Sequence, residues 1–134
     1  MDTPHRNLNA LVAKIVGAVL VLVGLLGFVV NETLLIFGVN TLHNLVHLLT
    51  GAALLAAGFI NDGEYARPAN LTLGAIYLLV AVLGYAGILV PDLLNTRADT
   101  VPHADNTLHL LLGIALIGAA FAARHEATHP VTRA

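Results

Sequence analysis

The segment NLVHLLTGAALLAAGF (residues 44–59) has a close counterpart later in the chain, NTLHLLLGIALIGAAF (106–121). Neither segment contains a charged residue, and at about 1.5 Å per residue each makes a helix of about 24 Å. The segments that precede them also match, GAVLVLVGLLGF (17–28) with GAIYLLVAVLGY (74–85). The sequence therefore predicts an all-α protein built from two copies of a two-helix hairpin.

The composition is typical of a membrane protein. Of the 134 residues 57% are hydrophobic and 10% are charged, against about 25% charged in ordinary soluble domains. Four apolar stretches, at about 8–30, 41–60, 69–90 and 107–123, are each long enough to cross a hydrocarbon core about 30 Å thick. They lack the polar outer face that a soluble bundle needs. We predict an integral membrane four-helix bundle, with residues 1–134 forming a single transmembrane domain.

The two hairpins, at about 8–60 and 69–123, both begin on the same side of the membrane, which predicts parallel repeats related by an axis along the membrane normal. Cationic residues in short loops mark the cytoplasmic side. Only Arg97 falls on the opposite side from the other five. We therefore expect a multi-pass protein of the cell membrane with both termini cytoplasmic, including a short C-terminal tail (124–134). The five cationic residues on the predicted cytoplasmic side are Arg6, Lys14, Arg67, Arg124 and Arg133.

Charge and cysteine content exclude several classes of function. A net charge of −2 provides no basic surface for nucleic-acid phosphates, so we expect no nucleic-acid partner. The absence of cysteine excludes thiolate metal sites, which leaves His, Asp, Glu and Asn as possible ligands. The expected partners are the lipid bilayer and either further copies of this chain or a larger membrane complex.

Polar residues recur at matching places in the two copies. The register pairs Asn44 with Asn106 and His47 with His109 at the same depth, several ångströms inside the outer boundary. A polar side chain without a partner is costly there, so we expect these residues to face the bundle interior and to form hydrogen bonds between helices. The predicted polar cluster, near the outer face, comprises Asn40, Asn44, His47, Asn106, His109 and Tyr85.

Glycines mark the helix faces that approach each other most closely in membranes. Their spacing places them on the same faces as the polar residues in the second and fourth helices, and on comparable faces of the first and third. The predicted packing glycines are Gly17, Gly24, Gly51, Gly74, Gly84 and Gly113.

The histidines permit several interpretations, of which we favour a structural one: a non-catalytic accessory module without a cofactor, whose Asn and His residues fix helix packing. His43 and His47, four residues apart on one helix face, can alternatively bind a transition metal, with His109 or His103 completing the ligands. His47 and His109 at one depth also permit axial ligation of haem. A proton or small-solute conduit is a further alternative.

The segment HEATH (125–129) fits the zinc-protease pattern H-E-x-x-H. That site requires a helix carrying both histidines and a third ligand from a surrounding domain. Pro130 follows the second histidine and only four residues remain after it. We therefore expect no catalytic activity.

The polar motifs resemble those of a known family. The run H-N-x-V-H (43–47) and the later run D-N-x-L-H (105–109), on four predicted spans, are similar to the prokaryotic membrane family called domain of unknown function 4383. The resemblance extends over residues 8 to about 123. It implies the four-helix topology and a shared role for the polar positions, and it implies no particular activity.

Overall fold

Four long helices make up most of the structure, a computed structural model that describes the backbone of residues 4–126 and the side chains of residues 8–122. They are α1 (Pro4–Gly27), α2 (Thr41–Phe59), α3 (Ala66–Tyr85) and α5 (Ala104–Glu126), with a short helix α4 (Val90–Leu93) before the last. All four long helices are long and apolar enough to cross a membrane. The predicted all-α, four-helix architecture is confirmed.

Two connections lie at one end of the bundle, and we call them together the loop cap: residues 28–40 between α1 and α2, and residues 86–103 between α3 and α5. The first contains a small antiparallel hairpin, β1 (Thr33–Leu34) with β2 (Phe37–Gly38), in which Thr33 pairs with Gly38 and Leu34 with Phe37. The second contains α4 and a 3₁₀ turn (Thr96–Ala98). At the opposite end, a 3₁₀ turn (Ile60–Gly63) leads from α2 to α3.

Two helices end earlier than the apolar stretches of the sequence. The predicted spans 8–30 and 69–90 extend into the loop cap, since α1 ends at Gly27 and α3 at Tyr85. Gly87, with a φ of 71°, ends α3: its N–H donates to the Gly84 carbonyl and the N–H of Ile88 to the Leu83 carbonyl. This is the Schellman pattern, which glycine favours because the left-handed conformation costs it little. Hydropathy alone does not detect such a stop.

Glycines set the spacing within two helix pairs, α1 with α2 and α3 with α5. A Cβ added to Gly17 or to Gly51 would lie 2.8 Å from the carbonyl oxygen of the other, and the same contacts between Gly74 and Gly113 are 3.2 and 2.9 Å. Gly24 faces the α2 backbone in the same way, at 2.9 Å from the Asn44 carbonyl oxygen. The duplication stays a prediction from the sequence, and the corresponding contacts of the two pairs agree with it.

The bundle has an apolar outer surface, and its interior contains buried polar side chains on either side of an apolar layer. Large aliphatic side chains are exposed along the outer helix faces, as a lipid-facing surface requires. Asn70 is buried and its amide donates to both the backbone and the side-chain oxygen of Asn9, each at 3.1 Å. Between this pair and the loop cap lies an apolar layer in which Leu20, Leu54 and Leu116 are buried.

Candidate metal centre

Three buried imidazoles lie together beneath the loop cap. His43 and His47 of α2 and His109 of α5 are 1%, 4% and 2% exposed. The ring centroid of His43 lies 4.5 Å from that of His47 and 5.7 Å from that of His109, and the other two are 6.2 Å apart. One ring nitrogen of each residue lies within 4.8 Å of those of the other two. We call these residues the histidine cluster.

The start of α2 orients the two histidines of that helix. Asn40 is the N-cap: its side-chain oxygen accepts a hydrogen bond from the backbone N–H of His43 at 2.8 Å. Its amide group donates to the Leu93 carbonyl at 2.9 Å, so it also holds the second segment of the loop cap. His43 and His47, four residues apart, then face the same side of α2. Asn40 lies above the histidine cluster, at the helix end, rather than inside it.

The loop cap fixes one nitrogen of His43. The Nδ1 of this ring lies 3.0 Å from the Gly38 carbonyl oxygen, and a carbonyl only accepts, so Nδ1 carries the hydrogen and donates it. The other nitrogen, Nε2, is buried without a hydrogen-bond partner and lies 3.8 Å from a carboxylate oxygen of Asp105. A backbone hydrogen bond that fixes the tautomer in this way is common for metal-binding histidines.

Asp99 joins the two segments of the loop cap. Its carboxylate accepts a hydrogen bond from the backbone N–H of Gly38 at 2.8 Å and another from the backbone N–H of Asp105 at 2.9 Å. A Cβ at Gly38 would collide with the Asn95 carbonyl oxygen, so the close approach of the two segments requires glycine there. The loop cap thus closes over the histidine cluster.

His109 packs on a tyrosine of α3. The rings of Tyr77 and His109 are stacked, with centroids 5.5 Å apart and an interplanar angle of 28°. The Tyr77 hydroxyl lies 2.8 Å from the Thr50 hydroxyl of α2, which itself donates to the Val46 carbonyl at 2.7 Å. The hydrogen bond to Thr50 fixes the Tyr77 ring, and the stacked Tyr77 ring supports His109 on the side of the apolar layer.

Asn44 and Asn106 pack their side chains against glycines of the neighbouring helices. The Asn44 amide lies against Gly27 and the Asn106 amide against Gly84, so close that an added Cβ would overlap either amide. Among the residues that the structure describes, neither amide makes the predicted hydrogen bond between helices. Instead Asn106 lies 3.2 Å from Nδ1 of His103, and Nδ1 of His47 and of His109 are buried without hydrogen-bond partners. The asparagines therefore fix helix spacing.

Tyr85, which we predict in the polar cluster, lies away from the histidine cluster. The residue is 45% exposed, its hydroxyl lies 2.6 Å from that of Thr107, and its ring lies 5.4 Å from the ring of His103. It is eight residues after Tyr77 in α3, which is about 12 Å along the helix. Tyr85 and the exposed His103 instead line an open cleft of about 390 Å³ at the loop cap. His103 therefore contributes no ligand to the histidine cluster.

Two residues beside the histidine cluster, Tyr77 and Asp105, were not predicted as site residues, although the sequence contains a pattern that could have indicated each. Tyr77 follows Gly74 by three residues and so lies on the glycine face of its helix. Asp105 is the first residue of the D-N-x-L-H run and corresponds to His43 in the register that pairs the asparagines. The backbone of the first two residues of the HEATH segment, His125 and Glu126, belongs to the end of α5. Residues 127–134, which include the rest of HEATH and of the predicted tail, lie outside those that the structure describes.

Comparison with known proteins gives a family but no characterised relative. No curated protein and no solved structure is significantly similar to the chain. A family model described as Domain of unknown function (DUF4383) matches residues 10–122. The match includes the whole of α2 and α3, all of α1 and α5 except a few terminal residues, and the entire histidine cluster. The chain belongs to this family.

Proposed function

We propose that this multi-pass membrane protein binds one transition-metal ion in the bundle interior, through His43, His47 and His109. The observation that supports this most strongly is the convergence of three imidazole nitrogens within 4.8 Å of one another in a buried place. Zinc–imidazole bonds are about 2.0–2.1 Å long, so the rings need to move together by only ~1 Å to share an ion. Neutral imidazole suits zinc, copper and nickel.

Unsatisfied polar atoms support a ligand at this place. Within residues 8–122, Nε2 of His43 and Nδ1 of His47 and of His109 are buried without hydrogen-bond partners. Each such atom costs about 1–3 kcal/mol in an apolar interior. A single ion offers a partner to one nitrogen from each ring. The structural interpretation, in which Asn and His side chains fix helix packing by hydrogen bonds between helices, leaves these nitrogens without partners among the described residues.

The geometry disfavours the other two alternatives. Haem between His47 and His109 needs a gap the width of a macrocycle, but the ring of His43 packs directly against both. A conduit needs a polar path along the bundle, but Leu20, Leu54 and Leu116 fill the interior below Tyr77. Association with further subunits stays a prediction. The six predicted packing glycines make close contacts within this chain.

Titration of the purified protein in detergent tests the proposal. We expect Zn²⁺ to bind with one ion per chain, and Co²⁺ in its place to give the absorption bands of a four-coordinate site. His47→Ala and His109→Ala should each weaken binding by about 100-fold or more, since a ligand is lost. His103→Ala, the matched control in the loop cap, should bind as the wild type does. Equal affinities for all four proteins, or no binding by the wild type, would contradict the proposal.

A further inference from the structure

A carboxylate faces the histidine cluster from α5. Asp105 is 1% exposed, and its Oδ1 lies 3.8 Å from Nε2 of His43. Its second oxygen, Oδ2, is buried without a hydrogen-bond partner among the residues that the structure describes. Its backbone N–H donates to the Asp99 carboxylate of the loop cap at 2.9 Å. A buried carboxylate with a free oxygen is costly in an apolar bundle unless a cation or several donors approach it.

Asp105 and the three histidines form two corresponding pairs. His43 and His47 are four residues apart on α2, and Asp105 and His109 are four residues apart on α5. Residues with this spacing share a helix face. The sequence match that pairs His47 with His109 also pairs His43 with Asp105, and the structure places these last two side chains beside each other. Asp105 therefore lies at the edge of the histidine cluster, beside His43.

We propose that Asp105 is the fourth ligand of the ion, and that the site consequently prefers a divalent ion such as Zn²⁺ to Cu⁺. This inference rests on the proposed function. A divalent ion held by three neutral imidazoles alone would carry a net charge of two into the bundle interior. One carboxylate ligand reduces the net charge of the site to one, which lowers the free-energy cost of burying the ion. Cu⁺ favours sulfur ligands, and the chain has no cysteine and only one methionine.

Replacement of Asp105 by asparagine tests the assignment. Affinities for Zn²⁺ and Cu⁺ are measured by competition with coloured chelators, in detergent, on proteins whose melting shows that they are folded. Asp105→Asn should lower Zn²⁺ affinity by at least about 10–100-fold and change Cu⁺ affinity much less. Asp92→Asn, which alters an exposed carboxylate of the loop cap, is the control and should change neither.

A second variant keeps the proposal testable if Asp105→Asn folds poorly. Asp105→His supplies an imidazole at the same place, so it should retain Zn²⁺ binding and raise Cu⁺ affinity relative to the wild type. If Asp105→Asn binds Zn²⁺ as tightly as the wild type while His47→Ala loses Zn²⁺ binding, the role of Asp105 is overturned and the histidine site stands. Failure of the wild type to bind Zn²⁺ at all would overturn the proposed function itself.

Discussion

Replacing Asp99 by alanine should separate the two segments of the loop cap and lower the free energy of unfolding by about 2–4 kcal/mol. The carboxylate accepts hydrogen bonds from the backbone N–H groups of Gly38 and Asp105. Hydrogen bonds to a charged group contribute about 1.5–3 kcal/mol each, and Asp99 is only half-buried, which reduces their sum. Unfolding in a mixed-detergent titration measures the change. Amide hydrogen exchange should rise specifically at Gly38 and Asp105.

Asp92 provides the matched control for Asp99, since it also lies in residues 86–103. Its carboxylate accepts hydrogen bonds from Arg97 at 2.6 and 3.3 Å, and the hydrogen bond from Arg97 lowers the pKa of Asp92. The side chains of Asp92 and Arg97 are 70% and 62% exposed, and exposed ion pairs contribute little to stability. Asp92→Ala should therefore leave unfolding and exchange nearly unchanged. Equal destabilisation by the two alanine variants would show that Asp99 does not join the loop cap.

Replacing Gly51 by alanine should destabilise the α1–α2 pair by about 1–3 kcal/mol, the usual cost of overpacking. The added Cβ would lie 2.8 Å from both the carbonyl oxygen of Gly17 and the backbone nitrogen of Val21. Both obstacles are backbone atoms of α1, so no side-chain rotation relieves the contact and the helices must move apart. Thermal unfolding in detergent measures the loss.

Gly118 of α5 is the control for this substitution, because a Cβ there meets no atom of the described part of the chain within 4 Å. Alanine in a helix is intrinsically more favourable than glycine by about 1 kcal/mol. Gly118→Ala should therefore leave the melting temperature unchanged or raise it. If Gly51→Ala melts at the wild-type temperature, the two helices are not in the close contact described here.

The sequence predicted the features that depend on hydropathy and spacing. Long apolar stretches with at most one charged residue predicted the four helices, and helical periodicity indicated that His47, His109 and the glycines share faces. These inferences needed only local physics: a helix in lipid satisfies its own backbone, and small residues allow close approach.

The parts that the sequence did not predict depend on contacts between distant segments. Asp99 meets Gly38 across 61 residues, and the hydrogen bond from Nδ1 of His43 to Gly38 depends on how that loop folds back. The choice of Tyr77 rather than Tyr85 depends on which turn of α3 reaches the level of His109. In the sequence, Asp105 is only the first residue of the D-N-x-L-H run, and its position beside His43 in the structure is what indicates a ligand.

X-ray absorption at the zinc edge, on protein loaded with one equivalent of Zn²⁺, tests the central claim most directly. The account predicts a four-coordinate shell at about 2.0–2.1 Å, with the multiple-scattering signal of three imidazoles, and the same spectrum for His103→Ala. A six-coordinate shell of oxygen atoms, or a spectrum without imidazole scattering, would contradict a metal centre formed by His43, His47 and His109.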